Sequence, residues 1–159
     1  MDKVEDLDRL RPFVALLPEL TAEGASFGAM LPPKRSGRVW MIMGFDLNDL
    51  GDRFHRIGHA LNDGFTVADW EEWERDGLWE IYRDDPARIA TAGVRDIRRL
   101  VVRIVRNERF CDGAMQRALE IGLVGRAVRR AAELLAAEPA DAAQTDPTSA
   151  APTPDRSQL

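Results

Sequence analysis

The chain has little of several residue types that carry common chemistry: one cysteine, two lysines, two histidines and one tyrosine in 159 residues. A single thiol, Cys111, closes no internal disulfide and cannot build a cysteine-based zinc site. No apolar run approaches the roughly 18 residues that a membrane-spanning helix needs. The opening Met1-Asp2-Lys3 has no basic stretch followed by an apolar one behind it, so no secretory leader is expected. Together these absences lead to the expectation of a cytoplasmic domain with no membrane partner. The scarcity of lysine, against abundant arginine and alanine, points to a GC-rich bacterial genome.

What is present suffices for a core. Hydrophobic residues make up 45% of the chain, and a domain of about 140 residues hides roughly two thirds of its unfolded surface without disulfides or metal. The net charge of −5 argues against wholesale nucleic-acid binding, but the charge is unevenly spread. Residues 63–85 hold nine acids and two arginines, whereas residues 95–130 hold ten arginines and four acids. The two segments either face one another, form separate solvated faces, or leave a basic surface for an acidic partner.

Periodicity predicts a mainly α domain over residues 1–137, a compact bundle of five or six helices, with at most a short strand pair near residues 38–45. Leu7, Leu10, Val14 and Leu17 recur at helical spacing, with Pro12 either kinking that helix or opening a new one. Residues 21–37, rich in glycine and proline, read as a loop. Arg38–Phe45 is long enough for a strand whose partner the pattern does not identify. Leu50, Phe54, Ile57 and Leu61 line a helix over Asn48–Asn62. Asp69 reads as the N-cap of a short helix from Trp70, interrupted at Gly77 and ending before Pro86. Val94, Ile97, Val101, Ile104 and Val105 form a stripe with Arg95, Arg98, Arg99, Arg103 and Arg106 largely outside it. After a turn at 109–113 come helices over Ala114–Ile121 and Leu123–Ala137. Residues 138–159, with four prolines and few apolar side chains, read as a disordered Pro/Ala-rich tail.

Several constellations invite a chemical reading, each beside a plainer one. His55 and His59 lie four apart with Asp52 and Asp63 a turn to either side, a metal-compatible spacing that one helix alone rarely completes; a solvated polar face explains it better. Cys111 could act as a nucleophile near a helix start, or be a small buried residue in a turn. Trp70, Trp73, Trp79 and Tyr82 among carboxylates resemble the furnishing of a sugar cleft, and equally a tryptophan core with an acidic back. Ala118, Gly122 and Val128 have the spacing of a helix-turn-helix, with Arg126, Arg129 and Arg130 facing phosphates. Against this, Val124-Gly125 stands where base-reading side chains would sit.

The stretch RNERFCDGAMQRALEIGLVGRAVRRAAELL resembles the signature of an uncharacterised bacterial domain family, DUF family 6508. The family pattern matches Phe110, Gly113, Glu120 and Gly122, and upstream GHALNDGFTVADWEEW fits its helix, Gly-Phe turn and Asp-Trp element. The resemblance covers roughly residues 48–135. It implies an established domain type and brings no activity with it. It directs attention to a polar cluster of Arg106, Glu108, Arg109, Asp112 and Glu120, which fits a structural corner as well as a site.

The functional expectation is a non-catalytic interaction or regulatory domain, binding an acidic protein surface through Arg126, Arg129 and Arg130. The rivals are a helix-turn-helix-like DNA-binding module and a small enzyme with a polar site at the Arg106–Asp112 turn. No catalytic residue, cofactor or metal is expected, His55 and His59 being the weak candidates for a metal.

Overall fold

The computed structural model describes residues 3–41 and 44–137, residues 3 and 4 by their backbone alone. The expected tail over 138–159 lies outside the described residues. Among them the chain is mainly α, with six helices of seven residues or more, three shorter ones, and two small antiparallel strand pairs.

The N-terminal segment is broken into three short helices: α1 (Lys3–Asp8), α2 (Arg11–Val14) and α3 (Leu17–Leu20). Pro12 and Pro18 fall in the first turns of α2 and α3, where a missing N–H costs nothing. Leu7, Leu10, Phe13, Leu16 and Leu20 are all buried along this segment.

The segment expected to be a loop is instead half of a two-stranded arm. Strand β1 (Gly28–Met30) pairs with β4 (Phe45–Leu47), and, nested further out, β2 (Lys34–Ser36) pairs with β3 (Val39–Met41). Pro32-Pro33 offers no N–H to a ladder, so the arm divides into a base and a tip. The tip turns at Gly37-Arg38. Gly37 has φ +61° and no other residue type has positive φ among the described residues, the pattern of a hairpin turn with glycine at the first central position. The strand expected over 38–45 is thus two short strands, with residues 42 and 43 outside the description, and its partners are the segments just upstream.

Helix α4 (Asp49–Leu61) starts at an Asn48 cap whose side chain accepts from the Gly51 N–H at 2.8 Å. Helix α5 (Val67–Arg75) begins three residues earlier than the sequence implied. Thr66, not Asp69, is its N-cap, and Asp69 completes a capping box by accepting from the Thr66 N–H. Helix α6 (Leu78–Asp84) and a 3-10 turn (Pro86–Thr91) lead into α7 (Val94–Asn107), α8 (Ala114–Glu120) and α9 (Leu123–Ala136).

Helix α7 is the axis of the core. Every residue from Ile97 to Val102 is buried, with Ile104 and Val105. It packs on α4, α8 and α9, and α9 packs in turn on α2, α3 and the 3-10 turn. A buried glycine, Gly58, lets α4 and α7 close: a Cβ there would lie 2.3 Å from Cγ2 of Val105. Phe27, Phe54 and Phe13 join the arm, α4 and α2 at ring-centroid distances of 4.6 and 6.0 Å. No helix among the described residues is long and apolar enough to cross a membrane.

Two of the arginines expected outside the α7 stripe are inside the protein. Arg98 is fully buried and Arg99 nearly so. Arg98 donates to the Asp6 carboxylate and to the carbonyls of Leu61 and Asp63. It therefore satisfies the unpaired carbonyls at the end of α4 while its charge is neutralised by α1.

Candidate functional site

The helix α9 begins at Gly122, whose φ of +84° is a left-handed conformation that suits glycine between two helices. Leu123, Val124, Ala127, Val128 and Ala131 face the core. At helical period this forces Arg126 and Arg129 to the opposite side, where both are exposed. Gly122 and Gly125 carry no side chain between them. The Arg126 guanidine nitrogen Nε comes within 4.0 Å of where a Cβ at 122 would stand, and Nη1 of Arg129 within 3.6 Å of one at 125. The two side chains lie over a floor of helix backbone.

Walls from distant parts of the chain turn this floor into a groove of about 630 Å³. One wall is the end of α3 and the loop after it (Leu20, Ala22, Gly24); the other is the 3-10 turn, through Pro86 and Ala90. Arg130 lies deeper. Its Nε donates to the Ala92 carbonyl at 3.0 Å and its Nη1 to Glu133 at 3.0 Å, so this cation is spent on holding α9 to the 3-10 turn. Glu120, also on the wall, accepts from Gln116 at 3.0 Å. Arg126 and Arg129 have no hydrogen bond or ion pair among the described residues. The groove thus pairs off its acids and presents two uncommitted guanidinium groups, each able to take a carboxylate or phosphate through two donors.

The polar cluster around the 106–112 turn is distributed over different places. Glu108 is half-buried and caps α8: one carboxylate oxygen accepts from the Gly113 N–H and the other from the Met115 N–H, both at 2.7 Å. Arg106 lies over the Trp70 ring at 4.8 Å from its centroid. Arg109 is exposed, and its positive charge reaches His59. Asp112 borders a second cavity, of about 450 Å³, with Trp79, Phe110, Cys111 and Arg117, and Glu120 belongs to the arginine groove. Cys111, read as buried in its turn, is exposed; the turn is held by its backbone and by Glu108 rather than by packing of the thiol.

His55 and His59 stack edge to face at 4.5 Å. His59 titrates below the ordinary imidazole value, first because the protein removes part of its water, then because His55, Arg109 and Arg106 add positive charge. A dication would meet the same repulsion. Asp63, one of the acids flanking the pair, is held by Arg9 at 2.7 Å, and no three or more His, Cys, Asp or Glu converge as a metal-binding group among the described residues. The tryptophan segment packs inward: Trp73 is fully buried and Tyr82 nearly so, while Trp70 donates to Asn62 at 3.2 Å.

The acidic and basic segments meet in part. Asp69 receives Arg95 at 2.7 Å and Arg99 at 3.5 Å, and Glu74 receives Arg103 at 3.2 Å. Phe65, in the Gly-Phe turn, has the guanidinium groups of Arg95, Arg98 and Arg99 within 5.5 Å of its ring centroid. The arginines of α7 are in this way engaged internally, whereas Arg126 and Arg129 of α9 keep no partner among the described residues.

No curated protein and no solved structure matches the chain. A family model does match it, over residues 4–137, beginning well before the stretch from residue 48 that carries the resemblance in the sequence and taking in the N-terminal helices and the arm. The chain belongs to the family of unknown function DUF6508.

Proposed function

We propose that this domain is a non-catalytic binding module that receives an acidic segment of a protein partner in the groove of Arg126 and Arg129. The observation that carries this reading is that both guanidinium groups stand exposed over the groove floor with no partner among the described residues. An arginine without an internal carboxylate retains its whole capacity for a fork-shaped contact, whereas exposed ion pairs elsewhere on this surface have spent theirs. The groove is lined by backbone and small residues at Gly122, Gly125, Gly24 and Ala22, which leaves room for a chain laid between the arginines. A cytoplasmic, bacterial setting fits the single thiol and the arginine-rich composition.

The helix-turn-helix reading is less well served. Leu123 and Val124, at the start of the would-be recognition helix, are buried, and α9 is packed against α2, α3, α7, α8 and the 3-10 turn. The start of a recognition helix must be open to base edges, and here it is turned into the core.

The test is a binding titration of the full chain with a fluorescent peptide rich in glutamate and aspartate at low salt. The wild type should bind with salt-sensitive affinity, and the Arg126→Glu, Arg129→Glu double variant should bind at least about tenfold more weakly, since a charge-assisted hydrogen bond is worth about 1.5–3 kcal/mol. Equal binding by the variant, or retention on duplex DNA in place of the peptide, would overturn the proposal.

A further inference from the structure

The tip of the two-stranded arm is a second surface, separate from the arginine groove. All residues from Ala29 to Met41 are exposed. Residues 28–41 contain Lys34, Arg35 and Arg38 and no acid, in a chain whose net charge is −5. Trp40 is 65% exposed and makes no ring or cation contact among the described residues. The register sets Arg35 directly opposite Trp40, so the two share one face of the hairpin. Arg35 is steadied by donation from Nε to the Gly37 carbonyl at 3.0 Å, and Lys34 and Arg38 have no partner among the described residues. A large aromatic ring held in water, on a two-stranded element that gains little stability from it, is a cost that a ligand would remove.

We propose that the β2–β3 hairpin binds single-stranded nucleic acid, with a base stacked on Trp40 and phosphates met by Arg35 on the same face and Arg38 at the turn. An exposed ring with a guanidinium on its own face of the hairpin, and a further cation at the turn, suits an unpaired base and its backbone, because every base offers a π face and every nucleotide a charge. A duplex keeps its bases stacked on each other, which leaves Trp40 nothing to cover. An anionic bilayer suits the hairpin less, because its tip is Ser36-Gly37-Arg38 and a polar, charged tip resists entry into hydrocarbon.

The experiment is fluorescence anisotropy of labelled oligothymidylate and oligouridylate with the full chain across a salt series. Both should bind. Trp40→Ala should weaken binding about tenfold, a change within the range of one lost stacking contact, and Trp40→Phe should keep most of it. The slope of log affinity against log salt should be about −1.4 for two phosphate contacts, approaching zero in the Arg35→Gln, Arg38→Gln double variant. The Arg126→Glu, Arg129→Glu protein should bind as the wild type does, which separates this surface from the groove. The proposal is overturned by no oligonucleotide binding at low salt, by equal affinity in Trp40→Ala, or by tighter binding to a duplex of the same length. It is also overturned if the hairpin binds phosphatidylcholine–phosphatidylserine vesicles but no oligonucleotide.

Discussion

The carboxylate of Asp6 and the guanidinium of Arg98 form a buried ion pair across 92 residues of sequence, joining α1 to α7. Both groups have left water, so their attraction offsets a large desolvation cost, and each makes the other tolerable. The burial itself pulls Arg98 below its ordinary pKa, Asp6 opposing. Asp6→Ala leaves a buried, uncompensated cation, and a loss of about 3–5 kcal/mol is expected in urea denaturation. Replacing both partners together, Asp6→Leu with Arg98→Met, should cost less than the single change. A double variant weaker than Asp6→Ala would contradict the pairing.

Glu108 is expected to be structural. Its carboxylate takes the Gly113 and Met115 N–H groups at the start of α8, so Glu108→Ala should lower stability by about 1.5–3 kcal/mol. Binding of the acidic peptide should be unchanged at temperatures where the variant is folded. Loss of peptide binding by a folded Glu108→Ala protein would assign it to the site instead.

The contact between Gly58 and Val105 sets the distance between α4 and α7. A Cβ at 58 would sit 2.3 Å from Cγ2 of Val105 and 3.0 Å from its Cβ. Gly58→Ala is therefore expected to destabilise by about 1–3 kcal/mol, despite the better helix propensity of alanine. Adding Val105→Ala should remove the clash, so that the double variant is more stable than the sum of the two single changes implies.

The α5 capping box carries a pH dependence. The Thr66 backbone N–H and hydroxyl, then Arg95, hold the Asp69 carboxyl down to about 2 against an ordinary value near 4. A carboxyl lowered in the folded state stabilises fully above the unfolded value, and that contribution disappears as pH falls from about 4 through about 2. Thermal melts should therefore show a drop in Tm across this window that Asp69→Asn flattens. An identical acid profile in Asp69→Asn would contradict the assignment.

The legible parts of the fold were those in which one face repeats. Val94 through Val105 announces α7, and Leu123 through Leu135 announces α9, because a long amphipathic period has no other economical reading. Arg98 has the phase of a buried residue: it stands four after Val94 and three before Val101, on the buried face. Charge argued for solvent, and the partner that makes burial possible, Asp6, is too far away in sequence to be seen. The upstream side of the arm reads as loop because its strands are three residues long and interrupted by Pro32-Pro33, so no alternation develops. The exposed face of α9, with Arg126 and Arg129 on it, was legible from its period. The groove was not, since its walls come from residues 20–25 and 86–90, which meet α9 only after folding. Glu108 caps a helix from outside it, through a turn whose geometry no local pattern announces.

Backbone amide NMR during titration of the full chain with the glutamate- and aspartate-rich peptide locates the contact residue by residue. Shift changes should concentrate at Gly122, Gly125, Arg126, Arg129 and the 20–25 loop, and vanish in the Arg126→Glu, Arg129→Glu protein. Changes centred on α4, on the arm or on the 106–112 turn, or none at all at saturating peptide, would contradict a groove that receives an acidic chain.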